Sequence, residues 1–374
     1  MHKGTDEKEF FSKPLDFVEP LHLHPSISAV VSVISSLIMA LSFINIAELI
    51  WISLVPLWLG LIGRKDKGVF GYGCLTGYTF LFILWLLDSN FCANPIIFSW
   101  PLILGFWLWI SRKIYFYMAF PKVSQTLADA PREQFLLPWY KLLILAFTLS
   151  FIYTALEILF GSFTEQMILA ITQTNHTRLI KVSSLTGISG LSFLIIFINL
   201  SIALFLEMIF IDRKTIPPWQ VLIISVSLTA SVLFFANPSS QPELKTHVEP
   251  KLILLSSKQD LAPKAIRNKI REGNNLMIIE GQLSPYQTRL ATIRSMEFGV
   301  PFVIHNQQVI LQNEKIIDPI KVPETVNFKP TFYYRNPNFF TNIVFVATFI
   351  AFLVTGLHFY KRKSILRNII TGKN

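Results

Sequence analysis

Charged residues are scarce in this chain, at 15% of the sequence, whereas a soluble domain carries about a quarter. Hydrophobic residues make up 52%, and the mean hydropathy is +0.49. This composition excludes an ordinary soluble protein and indicates an integral membrane protein. The net charge of +10 would suggest nucleic-acid binding in a soluble chain, but here the basic residues lie in short loops between apolar runs. We therefore attribute them to membrane topology and expect no nucleic-acid partner.

Cysteine is also nearly absent. The two cysteines, Cys74 and Cys92, lie near opposite ends of one apolar run, where we expect neither a metal site nor a disulfide. The seven histidines are scattered, and His305 stands alone beside Asn306. The chain lacks the dinucleotide and P-loop glycine motifs, the G-x-S-x-G elbow and the H-E-x-x-H zinc motif. The sequence therefore predicts no metal and no cofactor.

Long apolar runs are abundant, and most could cross a hydrocarbon core of roughly 30 Å as helices. The first two are separated only by Asn45, so they form either a tight hairpin or one span with a re-entrant piece; we take the hairpin. The prediction is a polytopic α-helical membrane protein with about eight transmembrane helices: seven within residues 26–236 and one within 338–360. The runs are Ser26–Ile44, Ile46–Ile62, Gly68–Leu87, Pro95–Ile110, Leu137–Leu159, Ser183–Phe210, Trp219–Ala236 and Phe339–Phe359.

Lysine and arginine are distributed unevenly between the loops. The tail at residues 1–25 is polar and mixed in charge. Counted from this tail, the alternate loops are basic, whereas the short loop at 88–94 holds no Lys or Arg. The positive-inside rule then places both tails, 1–25 and 361–374, in the cytoplasm and residues 245–334 on the outer face. The basic residues of the inner loops and tail are Arg64, Lys65, Lys67, Arg112, Lys113, Lys122, Arg132, Arg213, Lys214, Lys361, Arg362, Lys363 and Arg367.

Residues 245–334 form the one long segment with the composition of a water-soluble fold. Short apolar runs bounded by turn residues predict strands, and apolar positions three apart predict helices. The order is strand, helix, strand, helix, strand, strand, and the second helix should end at Gly299. This predicts a small α/β layer. In chain order the elements are Lys251–Ser257, Ala262–Glu272, Asn274–Gln282, Tyr286–Gly299, Val300–Asn306 and Gln307–Asp318.

Three carboxylates lie within the apolar runs, where ionisable groups are candidates for function. Glu48 and Glu207 lie near predicted helix ends, so we expect solvated side chains there. Glu157 lies near the outer end of its run and is followed by Gly161 and a polar loop. It is either a structural partner or part of a site at the membrane surface.

Two stretches carry a family resemblance. Ile171–Leu204 contains a Gly–x–x–Gly–Leu–Ser–Phe run followed by Asn199, and Ala155–Gly161 contains Glu157. Together they resemble the sixth span and a preceding Trp–Glu–Arg–Gly region of the bacterial apolipoprotein N-acyltransferases, with Phe160 in place of the arginine. Arg289–Pro319 is similar to the late helix and strands of that family's nitrilase domain. Matching positions there are Arg294, Glu297, Gly299 and Pro301.

The resemblance implies a protein of the bacterial cytoplasmic (inner) membrane whose outer α/β domain is a truncated nitrilase fold. Family members move an acyl chain from a phospholipid to a lipoprotein amine through a Glu–Lys–Cys triad. Glu280 ends the strand that resembles the glutamate strand, so it matches the family's general base. The segment that would carry the lysine and cysteine is missing before Arg289, and no cysteine follows Cys92. Gln282 and Ser284 occupy the replacing turn, and no base accompanies Ser284.

The sequence therefore supports three functional hypotheses. The first is a catalytically degenerate homologue that binds phospholipid, lipoprotein or a protein partner at the outer domain, with Glu280 as a relic. The second is an active N-acyltransferase with an altered site or a site shared with another subunit. The third is a small-solute transporter, although the spans hold few charges and show no inverted repeat.

The charge asymmetry gives a topological prediction. In a protein whose Cys74 and Cys92 are replaced by alanine, Ser257→Cys should react with an impermeant thiol reagent added outside intact cells, because it lies in the outer segment. Ser364→Cys should react only after the cells are opened. Labelling of Ser364→Cys but not Ser257→Cys in intact cells would reverse the assignment.

Overall fold

The computed structural model describes residues 24–44, 46–62, 64, 66–87, 95–119, 138–164, 167–211, 218–235, 247–248, 252–255, 263–274, 276–279, 285–300, 302–304, 309–312, 315–317, 326–327 and 331–371. Long helices dominate this part of the chain. The helices are α1 Pro25–Ile44, α2 Val55–Gly60, α3 Asp66–Leu87, α4 Trp100–Ala119, α5 Trp139–Thr164, α6 Thr177–Ile180, α7 Ser183–Thr186, α8 Ile188–Ile211, α9 Trp219–Phe235, α10 Pro263–Arg271, α11 Pro285–Phe298, α12 Phe332–Arg335 and α13 Phe339–Thr371. Three 3₁₀ segments cover Ala47–Trp51, Pro95–Ser99 and Leu169–Asn175.

Five helices of the described chain, α1, α3, α5, α8 and α13, are long and apolar enough to cross a membrane. Helix α9 is shorter, and α4 has 20 residues but includes Arg112 and Lys113. A polytopic helical membrane protein is therefore confirmed, while the exact number of spans stays a prediction. In the most apolar stretch of each helix, 83% of the residues are buried in α8 but only 11% in α13. Helix α8 thus forms the centre of the bundle, and α13 lies at its edge.

Helix α1 packs through a row of buried serines. The Ser28 hydroxyl donates to the Gly60 carbonyl oxygen at 2.6 Å, and Ser36 donates to the Thr76 carbonyl oxygen at 2.8 Å. Ser35 donates to the carbonyl oxygen of Ser53. Small hydroxyl side chains let membrane helices approach closely while satisfying their own polar atoms. The pairing of Ser28 with Gly60 and of Ser35 with Ser53 shows that the chain turns back along α1 as a hairpin.

The returning arm of this hairpin is not one continuous helix. It consists of the 3₁₀ segment Ala47–Trp51, a turn, and α2. Free backbone groups are costly in a membrane, so a break must be satisfied by neighbouring side chains. Asn199 of α8 does this: its Nδ2 donates to the Ile50 carbonyl oxygen at 2.8 Å, and its Oδ1 accepts from the Leu54 amide at 2.9 Å.

Glycines set the close packing of α3 on α4. A Cβ added at Gly73 would lie 2.7 Å from the Gly105 Cα, and one at Gly77 would lie 2.6 Å from the Pro101 Cα. A Cβ at Gly105 would lie 2.7 Å from the Cys74 sulfur. The two backbones therefore approach at a small-residue interface of the kind common in membranes, and the Cys74 thiol lies inside it.

The segment between α9 and α13 contains the predicted order of strands and helices. The strands are β1 His247–Val248, β2 Leu252–Leu255, β3 Leu276–Ile279, β4 Phe302–Ile304, β5 Val309–Gln312, β6 Lys315–Ile317 and β7 Val326–Asn327. A five-stranded sheet has the order β2-β3-β4-β5-β6, with β2, β3 and β4 parallel and the last two antiparallel. Strands β1 and β7 form a separate antiparallel pair.

Helices α10 and α11 make the crossovers between the parallel strands, as parallel pairing requires. Gly273 and Gly299, with φ of 92° and 68°, follow their last turns. The Gly299 amide donates to the Ser295 carbonyl oxygen at 2.8 Å, so the predicted helix end at Gly299 is confirmed. The likeness of this α/β segment to a nitrilase fold stays a prediction.

Replacing Asn199 by leucine should destabilise the membrane bundle. Leucine has a similar size but leaves the Ile50 carbonyl and the Leu54 amide without partners, at about 1–3 kcal/mol for each buried group. We expect a lower thermal unfolding midpoint for the protein in detergent. The neighbouring Ile198→Leu variant is the control and should stay close to wild type. Equal midpoints for the two variants would show that Asn199 does not stabilise the break.

Candidate functional site

Helix α11 lies across one end of the membrane bundle. This end is formed by the C-terminus of α1 at Ile44 and the N-terminus of α8 at Ile188, and we call it the docking face. Arg289 of α11 donates from Nη1 to the Phe43 carbonyl oxygen and from Nη2 to the Ile44 carbonyl oxygen, the latter at 3.1 Å. The last carbonyls of a helix have no partner within the helix and favour a cation. Arg289 therefore caps α1. Partial burial lowers the pKa of Arg289, yet a guanidinium keeps its charge in proteins.

Glu297, two turns further along α11, caps the other helix. Its Oε1 accepts from the Ile188 amide, the first residue of α8, at 2.5 Å. Its Oε2 pairs with Arg294, and both side chains are buried. A carboxylate at a helix N-terminus is stabilised by the free amides and the helix dipole. The Thr331 hydroxyl also donates to the Glu297 carbonyl oxygen, so the chain entering α12 joins the same cluster.

Two glycines of the Gly–x–x–Gly run have packing roles at this face. Gly187 has a φ of 74°, and a Cβ there would lie 2.6 Å from the Tyr333 ring. A Cβ at Gly190 would lie 1.8 Å from the Thr186 hydroxyl. Burial, helped by the Glu297 carboxylate, raises the pKa of Tyr333 to about 12. The phenol therefore stays protonated at physiological pH.

Glu157 lies in α5 close to the docking face. Its two carboxylate oxygens are buried, and neither makes a hydrogen bond of good geometry within the described part of the chain. Polar groups close to them include the Ser192 hydroxyl and the Leu169 amide. Helix α11 covers the adjoining 3₁₀ segment and α7. Because an intramembrane carboxylate without a cationic partner is a functional candidate, Glu157 is the strongest candidate site residue that the described chain shows.

The 3₁₀ segment beside Glu157 is held by Gln173. The Gln173 Nε2 donates to the Ala47 carbonyl oxygen at 2.7 Å, and its Oε1 accepts from the Trp51 indole at 3.3 Å. Gln173 is fully buried. The segment is therefore tied to the broken arm of the hairpin.

The two remaining carboxylates differ from each other. Glu48 is solvated as expected, with 67% of its side chain exposed and His176 Nε2 at 3.0 Å. The expectation of a solvated Glu207 is wrong, because only 2% of its side chain is exposed. The Arg112 Nη1 and the Trp58 indole lie 3.0 and 2.7 Å from its oxygens.

The reason for this error lies in α4. The apolar run ends at Ile110, but the helix continues to Ala119 and carries Arg112 into the bundle. The Arg112 guanidinium lies 4.7 Å from the Tyr115 ring centre and 5.3 Å from that of Trp58. The basic residue that the topology rule assigns to a loop is thus the partner of a buried acid. In the sequence, the one signal that Arg112 enters the bundle is its spacing from the aromatic residues of α4.

Several sequence-predicted residues lie outside the described residues: Glu280, Gln282, Ser284, Cys92, His305 and Pro301. The structure does describe their neighbours. Strand β3 ends at Ile279 and α11 begins at Pro285. Arg294, Glu297 and Gly299, the other positions of the family resemblance in this helix, lie together at the docking face.

The fold and this cluster define the chain as a polytopic helical membrane protein with an α/β segment docked on one end of its bundle. A family model, the apolipoprotein N-acyltransferase N-terminal domain, matches residues 35–201. The resemblance of the membrane part of the sequence to the apolipoprotein N-acyltransferase family is therefore confirmed. The resemblance of Arg289–Pro319 lies outside this match and stays a prediction. The match runs from the second half of α1 into α8, and the α/β segment lies beyond it. A search of curated proteins found no match to the chain.

We expect Glu297→Gln to lower the free energy of unfolding by about 3 kcal/mol. The amide can still accept from the Ile188 amide, but Arg294 loses its buried counter-ion. The measurement is thermal unfolding in detergent, together with the rate of limited proteolysis within residues 245–334. Glu272→Gln, at an exposed glutamate after α10, is the control and should change stability by less than about 0.5 kcal/mol. Equal stability of the two variants would contradict the capping role of Glu297.

Proposed function

We propose that this protein is a catalytically degenerate apolipoprotein N-acyltransferase homologue that binds phospholipid or lipoprotein, alone or with a protein partner. The observation that carries the proposal is the match of residues 35–201 to the family's membrane domain. That domain is the lipid-embedded part of the family. In this proposal the α/β segment is a truncated nitrilase-like domain on the outer face of the bacterial inner membrane.

The cysteines support the absence of thioester chemistry. Such chemistry needs a thiolate nucleophile, a base for its proton and a donor for the oxyanion. The sequence has two cysteines, both before residue 93. The Cys74 sulfur lies against Gly105 at the α3–α4 interface, where it packs between helices. Cys92 follows the same helix and precedes the whole α/β segment.

The strand that would deliver the base supports the same conclusion. Only residues 280–284 lie between β3 and α11, so this connection holds Glu280 but has no lysine or cysteine. A general base without the nucleophile that it serves has no acyl-transfer role. We therefore propose Glu280 as a relic of the family's base.

The residues that the family resemblance selects also fit a structural role. Asn199 closes a break in the membrane hairpin, Gly187 accommodates Tyr333, and Glu297 caps α8. Gly187 and Glu297 serve the attachment of the α/β segment to the bundle, and Asn199 stabilises the bundle itself. A homologue that binds without catalysing would keep these contacts.

The purified protein should not transfer an acyl chain from phospholipid to a peptide with an N-terminal cysteine. The measurement is mass spectrometry of the peptide after incubation with protein and phospholipid vesicles. We expect the same result for wild type, for Glu280→Gln and for the Cys74→Ala/Cys92→Ala variant. The vesicles without protein are the baseline.

Acyl transfer by the wild type would overturn the degenerate assignment and favour an active enzyme with an altered site. In that case the two variants separate the chemistries. Loss with Glu280→Gln would restore Glu280 as a working base. Transfer that survives in the variant lacking both cysteines would show that another nucleophile carries the acyl chain.

A further inference from the structure

A basic cleft lies between α10 and the start of α13. Its volume is about 440 Å³, and Lys264, Arg267 and Arg271 line it from α10. Asn338 and Thr341 line it from the α13 side. Of the described residues that line the cleft, three are cations and none is Asp or Glu. The site therefore has the charge and donor set for an anion.

The three cations share one face of α10. They recur three and four residues apart, a spacing that places side chains above one another on a helix. Ile266 and Ile270 are buried on the other side. Like charges at this spacing repel one another by a few tenths of a kcal/mol per pair. Since α10 itself contains no acidic residue, an anion in the cleft would relieve that repulsion.

Arg267 is held at the inner wall of the cleft. Its guanidinium lies 5.9 Å from the ring centres of both Phe298 and Tyr333, and it contacts the Tyr333 phenol. Its Nε is buried and has no acceptor among the described residues. A buried charged donor without an acceptor is costly. The two rings and the Tyr333 phenol fix Arg267 at the cleft wall, where the rest of its guanidinium can donate to an anion.

The first turn of α13 adds uncharged donors. Asn338 precedes the helix and Thr341 lies in its first turn. The free amides at the start of a long helix, together with its dipole, attract phosphate groups. The cleft therefore combines side-chain cations on one wall with a helix N-terminus on the other.

The cleft also lies beside lipid. Helix α13 is long and apolar enough to cross a membrane, and it exposes Ile343, Val346 and Phe349. Exposed Phe332 and Phe339 form a ring pair at its start, with centres 5.4 Å apart. Exposed aromatic residues at the end of a span mark the level of the lipid headgroups. The cleft opens where headgroup phosphates lie.

We propose that the cleft between α10 and α13 binds a phosphate group, supplied by the headgroup of an anionic phospholipid. Arg267 and Arg271 would bind its oxygens from α10, with Lys264 as a further cation and the start of α13 opposite. This assignment deepens the proposed lipid-binding function and rests on it for the source of the phosphate.

The test compares three probes on the full chain in detergent. Short-chain phosphatidylglycerol carries both phosphate and acyl chains, the matching diacylglycerol carries only the chains, and inorganic phosphate carries only the anion. The double variant Lys264→Gln/Arg271→Gln removes two exposed cations of the cleft. Lys269→Gln/Arg178→Gln is the matched control: it removes one cation from another face of α10 and one from α6, neither of which lines the cleft.

We expect the cleft variant to bind phosphatidylglycerol at least about tenfold more weakly than wild type, since each basic residue near a lipid surface contributes on the order of 1 kcal/mol. The control variant should stay within about twofold, and diacylglycerol binding should not change. The unfolding midpoints of the variants verify that both are folded, and the single variant Arg271→Gln should show an intermediate loss.

Equal phosphatidylglycerol binding by wild type and the cleft variant would overturn the proposal. Lipid binding that both proteins retain would still leave the wider lipid-binding function intact. Inorganic phosphate that binds wild type as tightly as the lipid does, and is lost in the cleft variant, would keep the phosphate site but overturn the lipid as its source. The acyl-transfer measurement is independent of all these outcomes.

Discussion

The attachment of α11 to two helix ends of opposite polarity is the constraint on which the rest of the structure depends. Helix α1 ends and α8 begins at the same face of the bundle, so a negative and a positive dipole end lie side by side there. Arg289 and Glu297 are eight residues apart in α11, which spans about 12 Å along a helix. The cation meets the C-terminus of α1 and the anion meets the N-terminus of α8. The opposite orientation of α11 would place each charge against the wrong end, so these contacts fix its direction.

Much of the fold follows from local sequence pattern. The apolar runs predict the long helices, and the strand order of the α/β segment and the helix end at Gly299 follow from short-range signals. The partners of the polar residues cannot be predicted from local pattern, because they lie far away in sequence. Arg289 reaches Phe43 across 246 positions, Glu297 reaches Ile188 across 109, and Asn199 reaches Leu54 across 145. The expectation of a solvated Glu207 is wrong for the same reason, since its partner Arg112 lies 95 positions away.

The contacts also explain why a family resemblance can outlast the family's chemistry. The glycines, Asn199 and Glu297 that carry the resemblance hold backbone groups or allow close packing. Their removal would leave buried amides, carbonyls or a buried arginine without partners, at a cost of about 1–3 kcal/mol for each neutral group. Marginal stability makes such losses severe. Selection on folding alone is therefore enough to keep these residues, whether or not an acyl chain is transferred.

Glu157 differs from the other glutamates of the described bundle in this respect. Glu207 has Arg112 and Trp58, Glu297 has Arg294 and the start of α8, and Glu48 has solvent and His176. The Glu157 oxygens are buried near the Ser192 hydroxyl, the Leu169 amide and Tyr153, with no cationic partner among the described residues. Folding gains nothing from a buried carboxylate that lacks a partner. Structural need thus explains Glu207 and Glu297 but not Glu157, and a ligand that supplies a donor or a cation to it would give the residue a reason to be there.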